Sequence, residues 1–157
     1  MKSSTVKYIF YGIVLFVIIG IIYTNIAGKN QDEVYKQDFM QYQQAVQFMQ
    51  NNELDQAIKT LEELVVQYPD EYNLYYQLGL AYSGQQDFEK AAIHYQKAID
   101  IRPALLENQT FTFKMGESLY NIKQLDLAKA YLSQPVTEQF QAQKQEVLEK
   151  IEKEIQS

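Results

Sequence analysis

Ala57 and Ala91 stand 34 residues apart, and the residues around them follow one pattern. Ala91 is accompanied by Tyr75, Leu78, Gly79, Tyr82, Tyr95 and Pro103. A shift of 34 positions toward the N-terminus puts Gln41, Gln44, Ala45, Phe48, Leu61 and Pro69 in the same places. A repeat of this length restricts a chain to stacked copies of one supersecondary unit. Positions 75, 78, 79 and 82 share one face of a helix, Asp87 suits the N-cap of a second helix, and neither Pro69 nor Pro103 can continue a helix. Each unit therefore reads as a helix hairpin. A glycine inside a helix costs about 0.5–1 kcal/mol relative to alanine, so it needs a packing reason. Here the expectation is that Ala45, Gly79 and Gly116 lie against Ala57, Ala91 and Ala128, where small side chains let two backbones close up.

A third unit carries Thr112, Met115, Gly116, Leu119, Ala128 and Leu132. Ala128 follows Ala91 by 37 residues rather than 34, which places an insertion near 104–109, and Pro135 arrives early enough to shorten the last helix. The central unit fits the pattern W-x2-L-G-x2-Y…A-x3-F…P at Tyr75, Leu78, Gly79, Tyr82, Ala91, Tyr95 and Pro103, with one aromatic replacing another at two positions. It resembles a tetratricopeptide repeat. The resemblance implies an all-α fold: a short α-solenoid of three hairpins, whose first helices line a concave side and whose second helices form the back. One hairpin cannot bury its own apolar face, so units stack, and about three suffice.

Ahead of the repeats, residues 8–28 hold no charged side chain. Twenty helical residues span about 30 Å, the thickness of a bilayer's hydrocarbon core. Tyr8 and Tyr23 fall near its two ends, where amphipathic rings favour the headgroup level. The run exceeds a signal-peptide core, and Asn25-Ile26-Ala27 lacks the small-residue pair of a cleavage site, so it is expected to stay as a transmembrane anchor. Lys2 and Lys7 precede it, and only Lys29 and Lys36 follow before Lys59. The positive-inside bias then keeps residues 1–7 as a cytoplasmic tail and exports the rest. The expected location is a cell membrane, single-pass, with the C-terminal domain extracytoplasmic.

The full division is a tail over 1–7, an anchor over 8–28, and a linker or stalk over 29–37. Repeats follow over 38–71, 72–105 and 109–135, then an amphipathic capping helix over 136–157. Phe140, Val147, Leu148, Ile151 and Ile155 form the apolar stripe of that last helix, which covers the open end that an array of repeats otherwise exposes. A dimerising coiled coil is the competing reading, with a stripe of barely two heptads to support it.

Charge and composition narrow the function. Residues 1–29 carry three lysines and no acid, so a net charge of −6 for the whole chain leaves −9 on the remainder. That argues against nucleic acid as a partner, since binding needs a basic face. With no Cys and one His, thiol chemistry and clustered metal ligands are not expected. His94 has no nucleophile or acid motif beside it, and Glu62-Glu63 and Asp70-Glu71 are adjacent in sequence rather than paired across a cleft. The chain is therefore read as a non-enzyme with no cofactor.

Helical geometry assigns the concave positions. In the first repeat they are Phe39, Tyr42, Gln43, Val46 and Met49; in the second Asn73, Tyr76, Gln77, Leu80 and Ser83; in the third Phe113, Lys114, Glu117, Tyr120 and Asn121. An aromatic and amide-rich surface suits an extended or helical peptide. Relatives that clamp a C-terminal carboxylate use a cluster of Lys, Arg and Asn there, and of its bases Lys114 alone is matched. The expected function is a membrane-anchored scaffold binding a protein or peptide partner, with the bilayer engaged through 8–28. Alternatives are a secretion-associated chaperone or assembly factor and a cytosol-facing membrane receptor.

Overall fold

The computed structural model describes residues 34–156. The expected anchor at 8–28 lies outside them, and no helix among the described residues is long and apolar enough to cross a membrane. The chain divides into two compact units, Met1–Gln41 and Tyr42–Ser157. In the first, residues 34–41 are helical, which makes the C-terminal part of the expected linker helix, and Val34, Tyr35, Phe39 and Met40 are exposed.

Among the described residues there are seven α-helices and no strand. The helix over 34–50 is α1, followed by α2 (Leu54–Gln67), α3 (Tyr72–Gly84), α4 (Phe88–Ile101), α5 (Gln109–Asn121), α6 (Leu125–Leu132) and α7 (Glu138–Ile155). A 3-10 turn over Pro103–Glu107 takes up the inserted residues between α4 and α5 and seats Leu105 in the core. Neighbouring helices pack in order: α2 on α3, α3 on α4, α4 on α5, α5 on α6, with α7 against both α5 and α6. The core runs through these interfaces as one cluster that includes Leu61, Leu64, Leu78, Tyr95, Phe111 and Leu132. Burying such a side chain contributes about 1.5–3 kcal/mol.

Local chemistry explains the helix ends. Asp87 caps α4 by accepting from the Lys90 N–H at 3.2 Å, Asn108 caps α5 through the Phe111 N–H at 3.0 Å, and Glu71 caps α3 through the Asn73 N–H at 3.2 Å. All three hairpins turn the same corner. Asn52, Gln86 and Lys123 take left-handed φ values of 62°, 63° and 63°. In each corner two N–H groups return to the preceding helix: Asn52 and Glu53 to Met49 and Phe48, Gln86 and Asp87 to Ser83 and Tyr82, Lys123 and Gln124 to Tyr120 and Leu119. This is the Schellman closure, which satisfies carbonyls that the helix end leaves open.

The glycines pack differently from expectation. A Cβ on Gly79 would overlap the ring carbons of Tyr95, and one on Gly116 would come within 2.7 Å of Leu132 Cγ. The space is kept for a large side chain four residues beyond each alanine, while Ala91 and Ala128 are themselves fully buried. The helix cut short by Pro135 has 8 residues against 14 in α2 and α4. In α7, Ile151 is fully buried and Phe140, Val147 and Leu148 pack on the core, but Ile155 is exposed.

Candidate functional site: the face of the first helices

The residues assigned to a concave face from Tyr42 onward form three linked groups. On α1 and α3, the Tyr42 hydroxyl accepts from Asn73 Nδ2 at 2.7 Å and from Gln77 Nε2 at 3.3 Å, all three side chains being half-buried. Val46 and Met49 are also half-buried, and Gln43 is exposed. Phe39 is exposed and belongs to the other compact unit, so it is not grouped with them.

On α3 and α5, Tyr76 tilts against Phe111 at 5.3 Å and Tyr95 at 6.1 Å between ring centroids, and Tyr95 meets Phe111 edge-on at 5.4 Å. Burial holds the Tyr76 phenol above its usual pKa of 10. Leu80 and Ser83 continue this face, each half-buried. Tyr76 thus divides its surface between the core and the outside.

On α5 the assignment needs correction. Phe113 is fully buried and stacks on Phe140 of α7, with ring centroids 4.5 Å apart and planes at 16°. Its surface is therefore used within the chain. Lys114 Nζ bonds Glu117 Oε2 at 2.9 Å and lies 5.6 and 5.7 Å from the Phe113 and Phe140 ring centroids. Tyr120 donates to Glu154 Oε1 at 3.0 Å, and Lys123 pairs with the same carboxylate at 2.8 Å. Asn121 is exposed and donates to the Glu117 carbonyl at 2.8 Å. Helix α7 thus occupies the third repeat's share of the face. Phe140 and Glu154 are contributors that helical spacing within one repeat does not reveal; the apolar stripe of α7 was the available signal for the first.

Chemically, the face offers half-buried apolar surface and primary amides, with its one cation already paired. After donating to Tyr42, Asn73 and Gln77 each retain a carbonyl oxygen able to accept a peptide N–H. Among the described residues no group of three or more acidic, His or Cys side chains is placed to hold a metal ion. His94 lies away from this face, between Tyr82 (5.3 Å, planes at 3°) and Tyr75 (6.3 Å). Burial lowers its pKa, and the neighbouring Glu62 carboxylate opposes that shift. The Tyr82 hydroxyl donates to Glu62 at 2.7 Å, and burial together with that bond pushes its pKa up to about 12. These are packing roles.

Residues 42–105 match the family model of the tetratricopeptide repeat. No curated protein sequence matches the chain significantly. Solved structures share its fold, three of them as follows. One is the first TPR of Spaghetti (RPAP3) bound to the HSP90 peptide SRMEEVD, with TM-score 0.64, 15% identity, and coverage of 76% of this chain and 94% of that one. Another is the Sgt2 TPR domain of Aspergillus fumigatus, with TM-score 0.65, 16% identity, and coverage of 77% and 83%. The third is the Yersinia enterocolitica type III secretion chaperone SycD in complex with a peptide of the translocator YopD, with TM-score 0.61, 18% identity, and coverage of 73% and 92%. Over its described residues the chain is an all-α helical solenoid with the fold of those structures, and residues 42–105 match the repeat's family model.

Proposed function

We propose that this protein is a single-pass, membrane-anchored scaffold that binds a peptide segment of another envelope protein along the first-helix face of its repeats. The observation that carries this reading is the half-buried surface from Tyr42 to Leu80, where amide oxygens stand beside apolar side chains. Two solenoids of the same fold are seen with peptides bound, one of them ending in acidic residues. Lys114 is already bonded to Glu117 here, so an internal, largely uncharged segment suits this face better than a C-terminal carboxylate.

Anchoring rests on the uncharged run over 8–28, and the lysines before it support an orientation with the repeats outside the cytoplasm. A tether of this kind raises the effective concentration of the repeats near membrane partners. The test is a photo-crosslinking residue at Gln43, Leu80 or, as control, Lys59 on α2, in the full chain within its native membrane. Capture of one or two fixed neighbours from 43 and 80, and none from 59, supports the scaffold. Equal capture from all three positions refutes the face. Capture of many nascent chains moves the assignment to a secretion chaperone. Protease added to spheroplasts checks sidedness, since repeats facing the cytosol would survive it.

A further inference from the structure

The back of the solenoid has two grooves built from corresponding residues, one filled and one hollow. Helices α5 and α6 begin 37 residues after α3 and α4, and Gly116 meets Leu132 where Gly79 meets Tyr95, so the two hairpins correspond position by position. In the groove beside α4 and α2, Tyr75 and Tyr82 flank His94, with Lys97 and Lys90 Nζ 5.8 and 4.9 Å from their ring centroids. Rings and cations fill it.

In the groove between α4 and α6, Tyr131 stands in the place of His94. Thr112 and Leu119 replace the two tyrosines, and Gln134 and Leu127 replace the two lysines. The consequence is two hollows, of about 340 Å³ and 420 Å³, that share Tyr131 as a wall. Their margins carry Leu127, Ile93 and Leu106, which are 53%, 61% and 45% exposed. Clustered large apolar side chains at such exposure mark a contact surface. The margin is also acidic. Glu89 lines the larger hollow, and Asp100 accepts from Gln96, another lining residue, at 2.9 Å.

We infer that this groove docks a basic amphipathic helix from a partner protein, two of whose large apolar side chains enter the hollows beside Tyr131. The filled groove supplies the template: two rings carried seven residues apart on one helix, about 10 Å, with ammonium groups over them. The hollow groove lacks those rings and cations, and Glu89 and Asp100 at its margin would complement lysines on an incoming helix. A second copy of the chain is disfavoured as occupant because everything after residue 29 carries −9. This site is separate from the face proposed above and does not depend on it.

The test uses the full chain in phospholipid nanodiscs and a fluorescein-labelled synthetic helix with tyrosines at i and i+7 flanked by lysines. Fluorescence polarisation should show saturable binding that weakens with added salt. Leu127→Lys and Ile93→Lys, both at exposed positions, should each weaken it roughly tenfold, the scale of a lost interface anchor. Replacing the peptide's lysines with glutamate should weaken it at least as much, and Gln43→Ala should leave it unchanged. Circular dichroism confirms that the variants stay folded. Absence of binding, indifference to Leu127→Lys and Ile93→Lys, or equal binding of the glutamate peptide would each overturn the inference. So would a concentration-dependent dimer abolished by Leu127→Lys, since that identifies a second copy as the occupant.

Discussion

In the hairpin of α3 and α4 the second helix runs 14 residues, and the space beside Gly79 holds Tyr95, which is locked by Tyr76 and Phe111. In the hairpin of α5 and α6 the second helix runs 8 residues, Leu132 sits beside Gly116, and α7 closes the first-helix face of α5 through Phe140, with its Ile151 fully buried. The central hairpin is thus held by an aromatic cluster it shares with its neighbour. The last one relies on a helix that is not a repeat at all. A solenoid unit is stabilised by its interfaces as much as by itself, and the central and last units of this array meet that requirement with different chemistry.

The largest expected effect tests the locked ring. Gly79→Val forces Tyr95 to move against Phe111 and Tyr76 and should cost about 3 kcal/mol, the upper range for overpacking, read as a lowered thermal midpoint of the full chain. Next, Ile151→Ala should cost roughly 2–3 kcal/mol at a fully buried site, with the loss concentrated in one region. Hydrogen exchange should speed up in α5 and α6 while α3 keeps its protection; equal acceleration in both would break the contrast. Gly116→Ala should cost about 1–2 kcal/mol, because its Cβ would press on Leu132 Cγ in the core while alanine's helix propensity offsets only part of the crowding.

A pH titration should separate the hairpins further. Burial holds His94 below its ordinary pKa of 6.5, so the unfolded chain takes up that proton at higher pH than the folded one does. Its contribution is fully present above about pH 6.5 and declines as pH falls through the folded-state value. Acidification should therefore loosen α3 and α4 more than α5 and α6, and His94→Phe should remove the difference. The smallest effect belongs to Lys123→Met: its partner Glu154 is solvent-screened at the surface, so the thermal midpoint of the full chain should stay essentially where it is.

Much of the fold was legible in the sequence because it depends on local rules. The repeat of 34, the prolines, the cap at Asp87 and the short last helix each follow from a few adjacent residues. The candidate face was less legible. Spacing places Phe113 on the same helix side as Lys114 and Tyr120, yet whether that side is open depends on where α7 docks, a contact between residues 27 apart in the case of Phe113 and Phe140. In the same way, the glycines signal close approach without saying that a Tyr95 ring, rather than Ala91, makes it. The pairing of Tyr42 with Asn73 and Gln77 crosses two repeats, and periodicity within one repeat carries no trace of it.

The three identical hairpin corners have an architectural consequence. Each is drawn by main-chain bonds around a left-handed Asn, Gln or Lys, so its shape does not rely on which side chains flank it. The angle between the two arms of a unit is therefore uncoupled from the composition of its surfaces. One hairpin can exchange tyrosines for leucine and threonine, or trade a full second arm for a stub, without redirecting the chain. Such a scaffold can diversify what it displays while its trajectory stays constant.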